Sequence, residues 1–156
     1  MSGKTVAQSK IVMARTMQPT DANGYGNVHG GVIMRFVDEA AGSAAIRHTS
    51  GRCVTASIDY MSFEQPVYIG DLVTIEAFLT YVGKTSIEAQ CNVTAENLIT
   101  GEPRHISTCY MVFVHIDEHG KPIPAPDLVL ETEADKANYE NALKRRELRA
   151  QLRHHR

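Results

Sequence analysis

The feature that most constrains this sequence is a set of four alternating segments between Val54 and Ile116, separated only by short turns. In the first, Val54, Ala56, Ile58 and Tyr60 alternate with Thr55, Ser57 and Asp59. In the second, Val73, Ile75, Ala77, Leu79 and Tyr81 alternate with Thr74, Glu76 and Thr80. In the third, Ile87, Ala89, Cys91, Val93 and Ala95 alternate with Ser86, Glu88, Gln90, Asn92 and Thr94. A period of two is that of a strand with one buried face. The fourth segment, Arg104 to Ile116, turns apolar on both faces from Tyr110 to Val114 and is expected to be central or in an interface. Ile69-Gly70-Asp71, Val82-Gly83-Lys84 and Thr100-Gly101-Glu102-Pro103 are turn sequences between them.

A strand candidate, Ser9 to Thr16, and a loop rich in turn formers over residues 17–30 come first. From Gly31 to about His48 the period lengthens. Val32, Ile33, Phe36, Val37, Ala40, Ala41, Ala44 and Ala45 recur at three- and four-residue spacings, which predicts a helix packed closely on more than one side. Beyond Pro122, Pro124 and Pro126 a second helix is expected from about Glu131 to Leu152, opened by acidic residues and closed by basic ones. One helix followed by adjacent strands of similar length implies an α+β layout, an antiparallel β-sheet wrapped around a long central α-helix, plus a C-terminal helix. The division expected is a domain over residues 1–130 and a basic helix over residues 131–156.

The chain has 156 residues, 43% of them hydrophobic and 22% charged, with a net charge of −2. That balance disfavours nucleic acid as a partner. No apolar run approaches the ~18–20 residues of a membrane span, and the first ten residues lack a secretory core. Cys53, Cys91 and Cys109 are odd in number and form no CxxC pair, so a reducing, cytoplasmic setting is expected. His115, Asp117 and His119 alternate but run off a strand into a turn without a fourth ligand, and no metal site is expected there. The small net charge conceals an asymmetry. Residues 144–156 carry +5 and the rest −7; the basic end is read first as a solvated helix face suited to the dipole, and second as a lure for anions.

Gly30-Gly31 stands where the loop becomes the helix. Glycine lets a ligand approach the backbone there, and the first helical N–H groups are unpaired donors at the positive dipole end. Such donors polarise a carbonyl and hold an oxyanion; a plain loop-to-helix turn has the same sequence. The glycines are not a dinucleotide fingerprint, because their spacing is one residue long and no βαβ unit surrounds them. Asp38 lies two turns into the helix, too far for a cap, beside Met34, Ala41 and Ala45. A carboxylate among small apolar groups suits general-base work; a solvated helix acid is the other reading.

Read together, Met17 to Ala41, including Asn23-Gly24-Tyr25-Gly26-Asn27-Val28-His29-Gly30-Gly31 and Asp38, resembles the signature of the hotdog-fold acyl-CoA thioesterases. The branch is that of the broad-range bacterial and cytosolic long-chain hydrolases. The resemblance continues through Gly51 to Asp59, Phe63 to Asp71, Val82 to Ile87 and Phe113 to Pro122. It implies a hotdog fold, sheets paired into dimers, and commonly three dimers in a homohexamer. It implies hydrolysis of acyl-CoA to fatty acid and CoA, with Asp38 as general base or nucleophile and Asn23 positioning water and thioester from across the dimer interface. Asn27 ranks second for that role. Thr55 matches a hydroxyl near the site, its alternative being an outward strand threonine. His29 is a packing residue on this reading, but hotdog dehydratases use a histidine, so a hydratase or dehydratase is the rival enzyme. A non-catalytic acyl-CoA sensor is the rival of another class. The resemblance also places the turn with Lys84, Thr85 and Ser86 near the nucleotide, with Lys84 first and Arg52 second as contacts to the CoA phosphates; solvated surface cations are the other reading of both. Coenzyme A is then part of the substrate, and no separate cofactor is implied.

Overall fold

In the computed structural model, which describes residues 2–154, the elements run β1 (Lys4–Thr5), α1 (Val6–Ser9), β2 (Ile11–Thr16), α2 (Gly30–Thr49), β3 (Arg52–Ile58), β4 (Leu72–Val82), β5 (Ser86–Asn97), β6 (Glu102–Ile116), β7 (Leu128–Val129) and α3 (Glu133–His154). Arg156, counted in the basic end, lies outside the described residues. The four alternating segments and β2 form one antiparallel sheet of order β2-β4-β5-β6-β3. β6 is therefore internal, as its two apolar faces require, while β2 and β3 are the edges.

The sheet curls around α2. Ile75 and Leu79 of β4, Ile87 and Val93 of β5, and Met111 and Phe113 of β6 face the helix and are almost wholly buried. Each large aliphatic among them contributes about 1.5–3 kcal/mol relative to exposure. On α2, Ala40, Ala41, Ala44 and Ala45 have no exposed surface. The small side chains let the helix sit low in the sheet, and larger ones there would overpack it by about 1–3 kcal/mol. Ser50 ends the helix in the left-handed conformation (φ 54°), its N–H bonded to the Ile46 carbonyl.

Several boundaries differ from the sequence reading for local reasons. β2 begins at Ile11 and not at Ser9, because Thr5 and Gln8 form a reciprocal cap (3.1 and 2.7 Å) that closes one helical turn over Val6–Ser9. β3 stops at Ile58, short of Tyr60. α3 begins at Glu133, since the Thr132 hydroxyl accepts from the Asp135 N–H (3.0 Å) while the Asp135 carboxylate accepts from the Glu131 and Thr132 N–H groups. A parallel two-strand pair, β1 with β7, had no counterpart in the sequence reading. No helix of the described residues is long and apolar enough to cross a membrane.

The C-terminal helix, α3, lies on the outer face of the sheet. Its Tyr139 ring meets Tyr81 of β4 (centroids 5.5 Å apart), and its Ala142 is buried.

Candidate active site

Asp38 and Thr55, 17 residues apart, are brought together by the packing of α2 against β3. Thr55 Oγ1 donates to Asp38 Oδ1 at 2.7 Å. Thr55 is thus an inward strand residue, on the row Thr55–Phe113–Ile87–Val82 that crosses the sheet. The sequence suggested an Asp38 enclosed by small apolar side chains. Within one chain its carboxylate is instead exposed, because it sits at the free edge of the sheet. That edge is apolar: Val54 is 47% exposed and Tyr60, just beyond the strand, 87%. An unpaired edge lined with apolar groups is a surface for pairing with another strand.

The other half of the candidate constellation is built on the loop before α2. Asn23 Oδ1 accepts from the N–H groups of Tyr25 (2.9 Å) and Asn27 (3.3 Å), folding a turn that Gly26 closes with φ +87°. The loop is fastened at both ends. Asp21, nearly buried, accepts from the Gln18 N–H (2.7 Å) and pairs with Arg15 (3.3 Å). The Val28 N–H bonds to the Val67 carbonyl, and Asn27 bridges to Tyr68. His29 caps α2 through its backbone alone, with no side-chain cap bond. A Cβ on Gly30 would come within 3.2 Å of the Phe63 ring, whereas one on Gly31 would meet nothing within 4 Å. Gly31 therefore borders open space at the positive end of the helix, while Gly30 lies against Phe63.

Asp38 comes eight helical steps after Gly30, about 12 Å along the axis. Among the described residues, no hydrogen bond joins Asn23 to Asp38. A single chain thus holds the carboxylate and the N–H donors too far apart to act on one carbonyl.

Of the candidate phosphate contacts, Lys84 and Thr85 form the β4–β5 turn and Ser86 opens β5. The turn is anchored by its backbone: the Gly83 N–H bonds to the Ser86 carbonyl, and the Lys84 and Thr85 carbonyls accept from Ala125 and His115. Ser86 pairs with Val114, and Val114 with Val54, so the turn lies two strands from β3, about 10 Å. Lys84 is exposed; Arg52, also exposed, reaches the Glu118 carbonyl at 3.5 Å. His115 and Asp117 are engaged in the following hairpin, through the Pro124 carbonyl and the N–H groups of His119 and Lys121.

Residues 25–102 match the thioesterase superfamily. The chain belongs to that superfamily. Its curled sheet on a central helix is the hotdog fold of these thioesterases. This thioesterase-family chain is 35% identical to YkhA of Bacillus subtilis, an uncharacterized acyl-CoA thioester hydrolase, over 148 residues, 95% of this chain and 86% of YkhA. It superposes on an apo-hexameric acyl-CoA thioesterase with a TM-score of 0.92 and 35% identity, over 97% of each chain. An acyl-CoA hydrolase of Staphylococcus aureus, solved with butyryl coenzyme A and coenzyme A, gives 0.88 and 30% identity, over 96% of this chain and 92% of that one. That enzyme has also been solved with alanine in place of an Asp, an Asn and a Thr.

The sequence reading missed a second cluster in the thioesterase chain, on the opposite face of the sheet. Glu88, 1% exposed, accepts from Arg145 (2.7 Å), Arg149 and the Thr80 hydroxyl. Arg149 also grips Asp59 (2.6 Å), and the Arg145 guanidinium lies 3.6 Å over the Tyr110 ring. Burial alone would lower the Arg149 guanidinium, but its bonds to Asp59 and Glu88 override this and raise it. These arginines are therefore not a solvated face. The available signal was their i, i+4 spacing together with two acidic residues, Glu88 on an outward position of β5 and Asp59 just past the end of β3.

Proposed function

We propose that this chain hydrolyses acyl-CoA thioesters with Asp38 as the general base toward water, in a site completed by a second copy of the chain. Superfamily membership and acyl-CoA thioester hydrolase relatives make hydrolysis of acyl-CoA the reaction. The observation that carries the finer reading is the Asp38–Thr55 pair at an open sheet edge, remote from its own helix N-terminus. Pairing of two β3 edges in an isologous dimer would bring each Asp38 toward the partner's loop before α2. The spacing in the Staphylococcus aureus enzyme supports the residue choice. The Asn, Asp and Thr replaced there are separated by 15 and 17 residues, the same intervals that separate Asn23, Asp38 and Thr55. A homohexamer of three such dimers accords with the apo-hexameric relative.

In this mechanism Thr55 holds Oδ1 and leaves Oδ2 for water. Asp38 takes a proton as the water oxygen bonds to the thioester carbon. The N–H groups at Gly30 and Gly31 stabilise the oxyanion, and Asn23 orients water and thioester, with Asn27 the nearest substitute. The C–S bond then breaks, and the proton on Asp38 passes to the CoA thiolate. Lys84, Thr85 and Ser86, with Arg52, meet the CoA phosphates. No cofactor beyond the substrate's own CoA enters the scheme. The free thiols of Cys53, Cys91 and Cys109 suit a cytoplasmic location.

Thiol release from a panel of acyl-CoAs tests the reading. Turnover that survives Asp38→Ala undiminished would sink the mechanism. Water addition to an enoyl-CoA that disappears in His29→Ala would favour the hydratase, and a stable complex with intact acyl-CoA would favour a sensor.

A further inference from the structure

β3 carries Thr55 but is the least secured strand of the sheet near the site. It has one neighbour, β6, and its register slips between Thr55 and Ser57. Among the described residues, two side-chain hydrogen-bonded contacts hold this stretch. On the inner face Thr55 meets Asp38. At its end, one residue past the strand, Asp59 is gripped from the outer face by Arg149: Nε lies 3.0 Å from each carboxylate oxygen, and Nη2 lies 2.6 Å from Oδ2. The Asp59 N–H bonds in addition to the Tyr110 carbonyl at 2.9 Å.

Arg149 is itself held. Its Nη2 donates to Glu88 Oε2, and Glu88 is fixed on β5 by Thr80 and by both arms of Arg145, at 3.1 and 2.7 Å. A guanidinium fork bound on both sides has a defined position, unlike a single point charge. The remaining anchors of α3, Tyr139 and Arg146 on Tyr81 and Arg145 on Tyr110 and Glu88, go to β4, β6 and β5. Arg149 is thus the α3 residue that ties down the end of β3.

We propose that Arg149, seated on Glu88, is a positioning residue for thioester hydrolysis: by gripping Asp59 it sets the end of β3, so that Thr55 meets Asp38. This rests on the reading of Asp38 as the reacting carboxylate. The function is distinct from docking α3, which Tyr139 and Arg145 also serve, and from binding CoA phosphate, for which a guanidinium bonded to two carboxylates has few donors left.

The test is a double-mutant cycle on thiol release, with the variants checked for folding and assembly. Arg149→Met is expected to lower kcat about tenfold with KM changed less than twofold, because a small misplacement of a catalytic contact is amplified in rate. In a Thr55→Ala background the same substitution should lower kcat less than twofold further, since the contact it positions is already gone. Arg149→Lys should recover part of the loss. Tyr139→Ala, which loosens α3 away from β3, should leave kcat near wild type. Should Arg149→Met fail to fold, Asp59→Asn, which keeps Glu88 and both arginines, carries the same expectation. An unchanged kcat, losses that multiply with Thr55→Ala, or a raised KM at constant kcat would each overturn the proposal. A wild-type kcat in both Asp38→Asn and Thr55→Ala would instead remove the reading of the site on which it stands.

Discussion

Glu88 and Asp38 are carboxylates on opposite faces of the same sheet, and their surroundings differ in kind. Glu88 is almost fully buried and accepts hydrogen bonds from two arginines and a threonine. Asp38 is exposed at the β3 edge and accepts from Thr55 alone among the described residues. A carboxylate with every lone pair engaged fixes geometry but has no oxygen left to accept from water. A carboxylate oriented by one hydrogen bond keeps an oxygen free to accept from water. The first kind holds the fold in place and the second is available for chemistry, so substitutions at the two should fail in opposite ways.

The largest effect is expected at Asp38. Asp38→Asn keeps the shape and removes the base, so kcat should fall by about 10²–10⁴-fold with little change in thermal midpoint. Steady-state thiol release and a thermal melt on the same preparation check both halves. Glu88→Ala should invert the pattern. It strands Arg145 in a partly desolvated site and leaves Arg149 with Asp59 alone, at a cost of about 3–5 kcal/mol of stability measured by denaturant titration, with a smaller loss of rate. A Glu88 variant that loses rate but no stability would erase the contrast. Thr55→Ala should be milder than Asp38→Asn, about tenfold in kcat, because it frees the base without removing it.

Much of the fold was legible because it repeats. The period-two segments located β4, β5 and β6 within a few residues, and the three- and four-residue spacing located α2. Elements too short to show a period, α1 and the β1–β7 pair, were not legible, since a cap and two strand residues leave no pattern. The site was legible in part. Gly30, Gly31 and Asp38 stood out by their own chemistry beside a bland alternative, and the resemblance to a family decided for them and added Asn23 and Thr55. That Thr55 points inward follows from its pairing with Phe113, which alternation alone does not fix near a register slip. The arginines of α3 were read as solvated because charge and period do not reveal which sheet face a terminal helix will cover. Asp38 was expected to be enclosed; a single chain does not enclose it, since the enclosing surface on the proposed reading belongs to a second copy.

A smaller effect separates the structural class of buried groups from the reactive one by pH. His48 has no exposed surface; its Nε2 meets the Pro126 carbonyl at 2.7 Å, and its Nδ1 has no partner among the described residues. Burial holds its pKa below the ordinary 6.5. The unfolded chain therefore takes up the proton first as pH falls. The stability from neutral His48 is complete above about pH 6.5 and is lost below it, at most about 1.4 kcal/mol per pH unit, down to the lowered folded value. Melts between pH 7.5 and 5 should show that decline, reduced in His48→Gln. A decline of equal size in the variant would assign it to other groups.

The central claim is that Asp38 acts with a loop contributed by a second chain, and mixing two inactive variants tests it most directly. Asp38→Ala and Asn23→Ala subunits are unfolded together, refolded as a mixture, and assayed for thiol release against each variant refolded alone. If the site is shared across an isologous dimer, half the dimers are hybrids with one intact site in two, and the mixture recovers about a quarter of wild-type activity. If the site lies within one chain, no intact site forms, and a mixture no more active than the average of the separate variants would contradict the account.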